Sequence, residues 1–213
     1  MDKQPRYDDK RIQMHKRGLM KLAVRSAALG AGASALPAVS QHAPKSAKGP
    51  VLLTVSGLIG AGNRGPFDAR FDQLMGKHQV RFSRAHAFDF AALNALPTVD
   101  IQPTLEYDDR KHVLKGALFS DVMKAAGVQW ASNLSFLVRA LDGYAVAIAA
   151  PEIMQRRFII ATHLDGAPLA LGGIGPLWSV FEPDRFPELA AKPLKERFAL
   201  CPWGTYHVEV TTR

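Results

Sequence analysis

Ser135-Phe-Leu-Val-Arg-Ala140 and Tyr144-Ala-Val-Ala-Ile148 flank the dipeptide Asp142-Gly143. Branched and aromatic side chains suit a pleated strand. Asp-Gly supplies the positive φ angles that a two-residue hairpin turn needs, so the stretch predicts a β-hairpin. Outward from it, 158–163 reads as a strand followed by a second Asp-Gly turn at Asp165-Gly166. Strands are also predicted over 51–56, closed by Gly57, and over 79–84, 177–181 and 206–210, with 100–107 extended. Three short helices intervene. One covers 67–75 with Pro66 at its first position. A second covers 88–96, with Asp89 as N-cap and Pro97 closing it. A third covers 119–127, with Ser120 as N-cap, Gly127 as stop, and Val122, Met123 and Ala126 on one apolar face. Close-spaced strands with few short helices predict an α+β or mostly-β domain and argue against a parallel α/β fold.

The chain has 213 residues, enough for one domain with a tail. Hydrophobic residues make up 47% and charged residues 22%, which excludes wholesale disorder. The single cysteine, Cys201, excludes an intrachain disulfide and any zinc site built on several thiolates. The net charge is +8, but its distribution is uneven: the first 40 residues carry +5 and the other 173 carry +3. A nearly balanced body does not suit a phosphate-tracking surface, so no nucleic-acid partner is expected.

The basic start through Arg25 leads into an Ala- and Gly-rich apolar run, 26–36, which is too short to span a bilayer as a helix. Ala38-Val39-Ser40 then offers small residues for a signal peptidase. Lys16-Arg17-Gly18-Leu19-Met20-Lys21 resembles a twin-arginine motif with Lys in the first position. These features predict an export signal over 1–40 cleaved near Ser40, a polar linker over 41–50, and a periplasmic domain over 51–213.

Gly60-Ala-Gly-Asn-Arg-Gly65 follows a strand and fits the spacing of a dinucleotide-binding turn. Pro66 follows at once, no long helix pattern succeeds it, and Asp89 lies too far along to hold a ribose. The segment therefore reads as a flexible surface loop. His78, His86, His112, His163 and His207 show no ligand spacing, and no Ser-His-Asp arrangement with an elbow motif is present.

Six phrases occur in a set order: Val51-Leu-Leu-Thr-Val-Ser-Gly57, Phe88-Asp-Phe-Ala-Ala-Leu-Asn-Ala-Leu-Pro97, Lys115-Gly-Ala-Leu-Phe-Ser-Asp-Val-Met123, Ala140-Leu-Asp-Gly-Tyr-Ala-Val-Ala-Ile148, His163-Leu-Asp-Gly-Ala-Pro-Leu169 and Gly175-Pro-Leu-Trp-Ser-Val-Phe181. Together they resemble the molybdopterin-binding domain of the sulfite oxidase family in a short standalone form, over roughly 50–210. The resemblance implies a mixed-sheet α+β fold that holds a pterin in a cleft. It also implies a cysteine ligand to molybdenum just after Thr104-Leu105, where this chain has Glu106-Tyr107.

A thiolate is a soft donor that suits molybdenum, whereas a phenol is harder and is protonated at neutral pH. Tyr107 at the ligand position therefore implies a pterin or molybdopterin bound without molybdenum and without redox turnover. The competing reading is a molybdopterin-dependent oxidoreductase. The resemblance places Tyr107, Arg110, Asp142, Tyr144 and Trp203 as candidate cofactor-binding residues. Tyrosine rings would stack on the pterin, Arg110 would donate to a carbonyl or phosphate, and a carboxylate would accept its amino edge. Trp178 and Cys201 read as core residues. Standalone members of the family that lack the cysteine resemble periplasmic pterin-binding proteins, which implies a membrane-bound cyclic-di-GMP enzyme as the signalling partner.

Overall fold

The computed structural model describes residues 49–213; the export signal and all but the end of the 41–50 linker lie outside the described residues. In chain order the elements are β1 (Val51–Gly57), α1 (Gln73–Lys77), β2 (Ala85–Asp89), α2 (Phe90–Asn94), β3 (Thr98–Ile101), β4 (Leu114–Leu118), α3 (Phe119–Ala125), β5 (Leu134–Ala140), β6 (Ala145–Ala149), α4 (Ala150–Arg156), β7 (Ile159–Leu164), β8 (Ala167–Pro168) and β9 (Trp178–Val180). A 3-10 turn at Pro183–Arg185, α5 (Pro187–Ala190), α6 (Leu194–Arg197) and β10 (Thr205–Thr212) complete the chain. The domain is α+β, with no described helix longer than seven residues.

The strands form two five-stranded sheets. The first runs β2-β1-β10-β5-β6, with β1 and β10 parallel and every other pair antiparallel. The second runs β3-β4-β7-β8, with β9 also paired to β7. The opening hairpin forms, but its turn spans 141–143 rather than two residues, and of the Asp-Gly pair only Gly143 has a positive φ, 94°. In β5, Leu134, Phe136, Val138 and Ala140 are buried and alternate with half-buried residues, the period of a strand with one face on a core. Residues from both sheets share one apolar cluster, in which Phe119, Phe136, Phe158, Trp178 and Phe181 are all 1% exposed or less.

Several expectations need correction. The strand predicted over 79–84 is absent, and the strand in that region is β2, five residues later. Alternation over 79–84 does not reflect sheet pairing, because Gln79 has a left-handed φ of 58° and Phe82 turns onto Phe67 and Arg64. The helix predicted over 67–75 shrinks to α1, because Asp68 and Asp72 form a local turn first: the Asp72 amide donates to the Asp68 carbonyl at 2.8 Å. In the second predicted helix Phe88 belongs to β2, while Asp89 does cap α2, accepting from the Ala92 amide at 2.7 Å. Ser120 is not a cap but lies inside α3, whose N-cap is Leu118. Gly127 stops that helix at φ 79°. Of the extended run expected over 100–107, only Asp100 and Ile101 lie in β3, and 106–108 form a turn. Strand β4 and helices α4, α5 and α6 carry no clear periodic signal in the sequence. In β4, Gly116 is required by contact, since a Cβ there would collide with the Ile160 carbonyl of β7.

Candidate functional site

The hairpin turn, the loop after β3 and the chain between the last helices and β10 converge on one cavity of about 240 Å³. Tyr107, Asp142, Tyr144 and Trp203 line it together, joined by Glu106, Lys195, Phe198 and Cys201. Trp178 forms its floor. The structure thus brings together four of the five sequence-predicted site residues. Arg110 is not among the lining residues; it is exposed, and its amide donates to the Asp108 carboxylate at 3.1 Å.

Each wall has a local cause. Asp142 tightens the hairpin turn by accepting from the Tyr144 amide at 2.9 Å. Gly143, at φ 94°, turns the chain so that Tyr144 follows at the rim. The Tyr144 hydroxyl donates to the Ala199 carbonyl at 2.7 Å, which fixes its ring against the wall that includes Phe198. Trp203 is held by a backbone bridge to Trp178. The Trp178 indole N–H donates to the Cys201 carbonyl at 2.8 Å, and its ring lies 5.7 Å from Phe198. Three aromatic side chains at the cavity remain open to solvent: Tyr107 at 55%, Tyr144 at 47% and Trp203 at 38% exposure. Exposed aromatic faces around a concavity have no packing reason to be there, which makes them candidate ligand surfaces. The placement of Trp203 differs from the usual fate of a tryptophan beside a terminal strand, which is the core.

Tyr107 stands on a small closed loop. Thr104 bridges Lys111, and the Leu105 amide donates to the Arg110 carbonyl at 2.8 Å. Partial burial and the Glu106 carboxylate beside it push the Tyr107 phenol above its ordinary value, so it stays a protonated hydrogen-bond donor. Glu106 and Asp142 supply acceptors to the cavity, and Lys195 supplies a donor. Cys201 is near Tyr107 in space although far from it in sequence. Its thiol is 4% exposed, and burial pushes it up to about 12. It is therefore a neutral packed group rather than a thiolate. Among the described residues no group of three or more His, Cys, Asp or Glu side chains is arranged to hold a metal ion.

The base of the Tyr107 loop is clamped by a histidine. His112 Nε2 lies 3.0 Å from Asp108 and its Nδ1 lies 2.7 Å from Asp165. Hydrogen bonds to Asp165 and then Asp108 raise the imidazole above its ordinary value, and both carboxylates are lowered by their bonds to it. A histidine with a raised folded value contributes its stability below about pH 6.5 and loses it as pH rises through the folded value. Hydrogen exchange over 103–112 is therefore expected to accelerate as pH rises from about 6.5 through the raised folded value, after correction for intrinsic rates. H112A should remove that dependence, and an unchanged profile in H112A would disprove the clamp.

Two other features resemble chemistry and are not. Ser56 Oγ lies 3.0 Å from His207 Nε2, both residues 1% exposed or less. Arg139 approaches His207 Nδ1 at 3.3 Å, and a guanidinium only donates, so Nδ1 is the acceptor and Nε2 carries the proton. That tautomer donates to Ser56 and cannot act as its base. The glycine-rich loop after β1 is also not the flexible loop its sequence predicts. The Gly60 amide donates to the Ala126 carbonyl at 3.1 Å, and those of Asn63 and Arg64 both donate to the Ala85 carbonyl at 3.1 and 3.0 Å. Gly62, at φ 72°, is needed because a Cβ would strike that same carbonyl. Three of the loop's amides are thus committed to the protein's own carbonyls rather than open to a phosphate.

No known family model matches the chain, and neither does any curated protein. The site is therefore read from its own geometry. Sequence reasoning missed Glu106, Lys195 and Phe198. Glu106 adjoins Tyr107 and was within reach, whereas the segment holding Lys195 and Phe198 has no periodicity to place it.

Proposed function

We propose that this chain is an exported pterin-binding protein with the fold of the sulfite oxidase molybdopterin-binding domain, which binds its ligand without redox turnover and signals to a membrane-bound cyclic-di-GMP enzyme. The observation that carries the reading is the convergence of Tyr107, Asp142, Tyr144 and Trp203 on one cavity. A pterin is a flat heterocycle with N–H donors on one edge and a carbonyl beside them. Aromatic faces, two carboxylates and one ammonium complement that pattern. At about 240 Å³ the cavity is smaller than the roughly 300–1,000 Å³ usual for drug-sized ligands, which favours a bicyclic ring without a long phosphorylated tail.

The molybdenum of the related enzymes does not fit the donors present. Tyr107 occupies the ligand position with a protonated phenol, and Cys201 is buried as a neutral thiol. An oxidoreductase reading would need the metal held by the cofactor's dithiolene alone, or by one of these groups ionised at it.

Titration with 2-amino-4-oxopteridine, followed by quenching of the pteridine's own fluorescence, tests the proposal. Wild-type protein is expected to saturate. Base–aromatic stacking is worth about 1–3 kcal/mol, so W203A and Y107A should each weaken binding by roughly tenfold to a hundredfold. D142N should weaken it less, because its turn role survives. Stoichiometric molybdenum in natively exported protein, or unsaturable quenching, would overturn the proposal.

A further inference from the structure

The walls of the aromatic cavity come from segments distant in sequence. Glu106 and Tyr107 ride on the loop after β3, while Lys195 and Phe198 ride on and just after α6. Asp184, in the 3-10 turn, touches both. Its Oδ2 accepts from the Thr104 amide at 2.8 Å and from the Thr104 hydroxyl at 2.7 Å. Its Oδ1 accepts from Arg197 Nη1 at 3.0 Å. Arg197 in turn donates to the carbonyls of Lys192 at 2.8 Å and Ala190 at 2.7 Å, which fastens α6 to the end of α5.

We propose that Asp184 is a positioning residue that sets the width of the cavity by coupling its two walls. Thr104 is three residues before Tyr107, and Arg197 is adjacent to Phe198. Both ends of the bridge are therefore within one turn of a cavity-lining ring. The helices on this side, α5 and α6, are four residues each and cannot hold themselves in place. Leu189 of α5 and Phe198 just after α6 are buried, but no residue of α6 itself is, so Lys195 takes its position from the guanidinium two residues on. The side chains of Asp184 and Arg197 are 19% and 17% exposed, a setting in which a charge-assisted bond is screened less than on an open surface. The Oδ2 pair holds the loop at one base while the His112 clamp holds the other, so Tyr107 has two independent tethers.

Coupling predicts a pattern that simple destabilisation does not. In D184A, hydrogen exchange should rise at least tenfold in both 103–112 and 192–201, with β1 and β10 unchanged. D184N keeps an acceptor for Thr104 but loses the charge facing Arg197, so it should free 192–201 more than 103–112. If D184A does not fold, T104V and R197Q replace it, and each should raise exchange in its own segment and, more weakly, in the other. Exchange that rises in one segment alone, or uniformly across the sheets, would overturn the coupling. The consequence for ligand rests on the pterin reading: D184A should also weaken 2-amino-4-oxopteridine binding by about tenfold. The two failures are separable. Wild-type protein that does not bind the pterin refutes that reading and leaves the exchange pattern to be judged alone. Wild-type protein that binds, with D184A binding equally well, refutes the positioning role.

Discussion

Trp178→Ala lowers the stability of the domain by about 3–5 kcal/mol, the usual range for removing a buried aromatic side chain. Trp178 is 1% exposed, the largest fully buried side chain, and belongs to the shared apolar cluster. It does three things at once. It packs against Phe198, donates to the Cys201 carbonyl at 2.8 Å, and lies in β9, which pairs with β7. Truncation removes the packing and orphans the carbonyl. The carbonyl alone would cost about 1–3 kcal/mol if it stayed dry. Because the vacated volume adjoins the aromatic cavity, water can enter and reach it, so its share falls at the low end. W178F separates the two contributions: it keeps most of the packing, loses the donor, and should cost about 1–2 kcal/mol. Urea denaturation with an unchanged slope is the measurement. A loss below 1 kcal/mol for W178A would mean that Trp178 is not the structural floor of the cavity. Ligand affinity should fall in W178A as well, since Trp178 lines the cavity and its ring packs against Phe198 in the same wall.

The parts of this fold that were legible in the sequence are those whose cause is local. The Asp142-Gly143 hairpin, the cap at Asp89 and the stop at Gly127 are each decided by two or three residues, and each formed. The strand at 79–84 failed because alternation is a weak signal when a chain has a tertiary reason to alternate: Arg64 and Phe67 both reach Phe82 from another loop. Strand β4 was hidden because Gly116 and Ala117 have low strand propensity; Gly116 is there to let β7 approach. Of the site, Tyr107 and Trp203 were reachable through a resemblance of ordered phrases. What that resemblance could not place is the segment after β9, where helices of four residues depend on Asp184 and Arg197 rather than on their own periodicity. Arg110 was drawn into the site by its nearness to Tyr107 in sequence, yet the loop closes on itself and leaves Arg110 outside. The Ser56–His207 pair was invisible because β1 and β10 meet as parallel neighbours only after the whole chain has folded.

That buried pair sets the acid stability of the domain. His207 is fully buried, and its pKa is lowered to about 3 by burial first and then by the positive charges of Arg139 and Arg64. In the unfolded chain the same imidazole takes up a proton near pH 6.5. Between those values the unfolded state binds a proton that the native state refuses, so stability falls as pH falls through that window. Each pH unit is worth about 1.4 kcal/mol at most, so acidification from pH 6.5 to 4.5 should cost on the order of 3 kcal/mol through His207. His86, lowered by burial, adds in the same direction. His112 does not oppose them there, because its contribution is already complete below about pH 6.5. Its partners Asp108 and Asp165, with lowered values, begin to protonate only below about pH 4. The slope between pH 6.5 and 4.5 is therefore a histidine slope. His207→Gln tests whose it is: an amide carries one acceptor for Arg139 and donors for Ser56 without titrating. The variant should be less stable than wild type at pH 7.5, since its geometry is imperfect, and the two denaturation curves should converge or cross by pH 4.5. H86Q should leave most of the slope in place. If H207Q keeps the wild-type slope, the acid sensitivity resides elsewhere, and the neutral tautomer assigned to His207 from the Arg139 contact would be wrong.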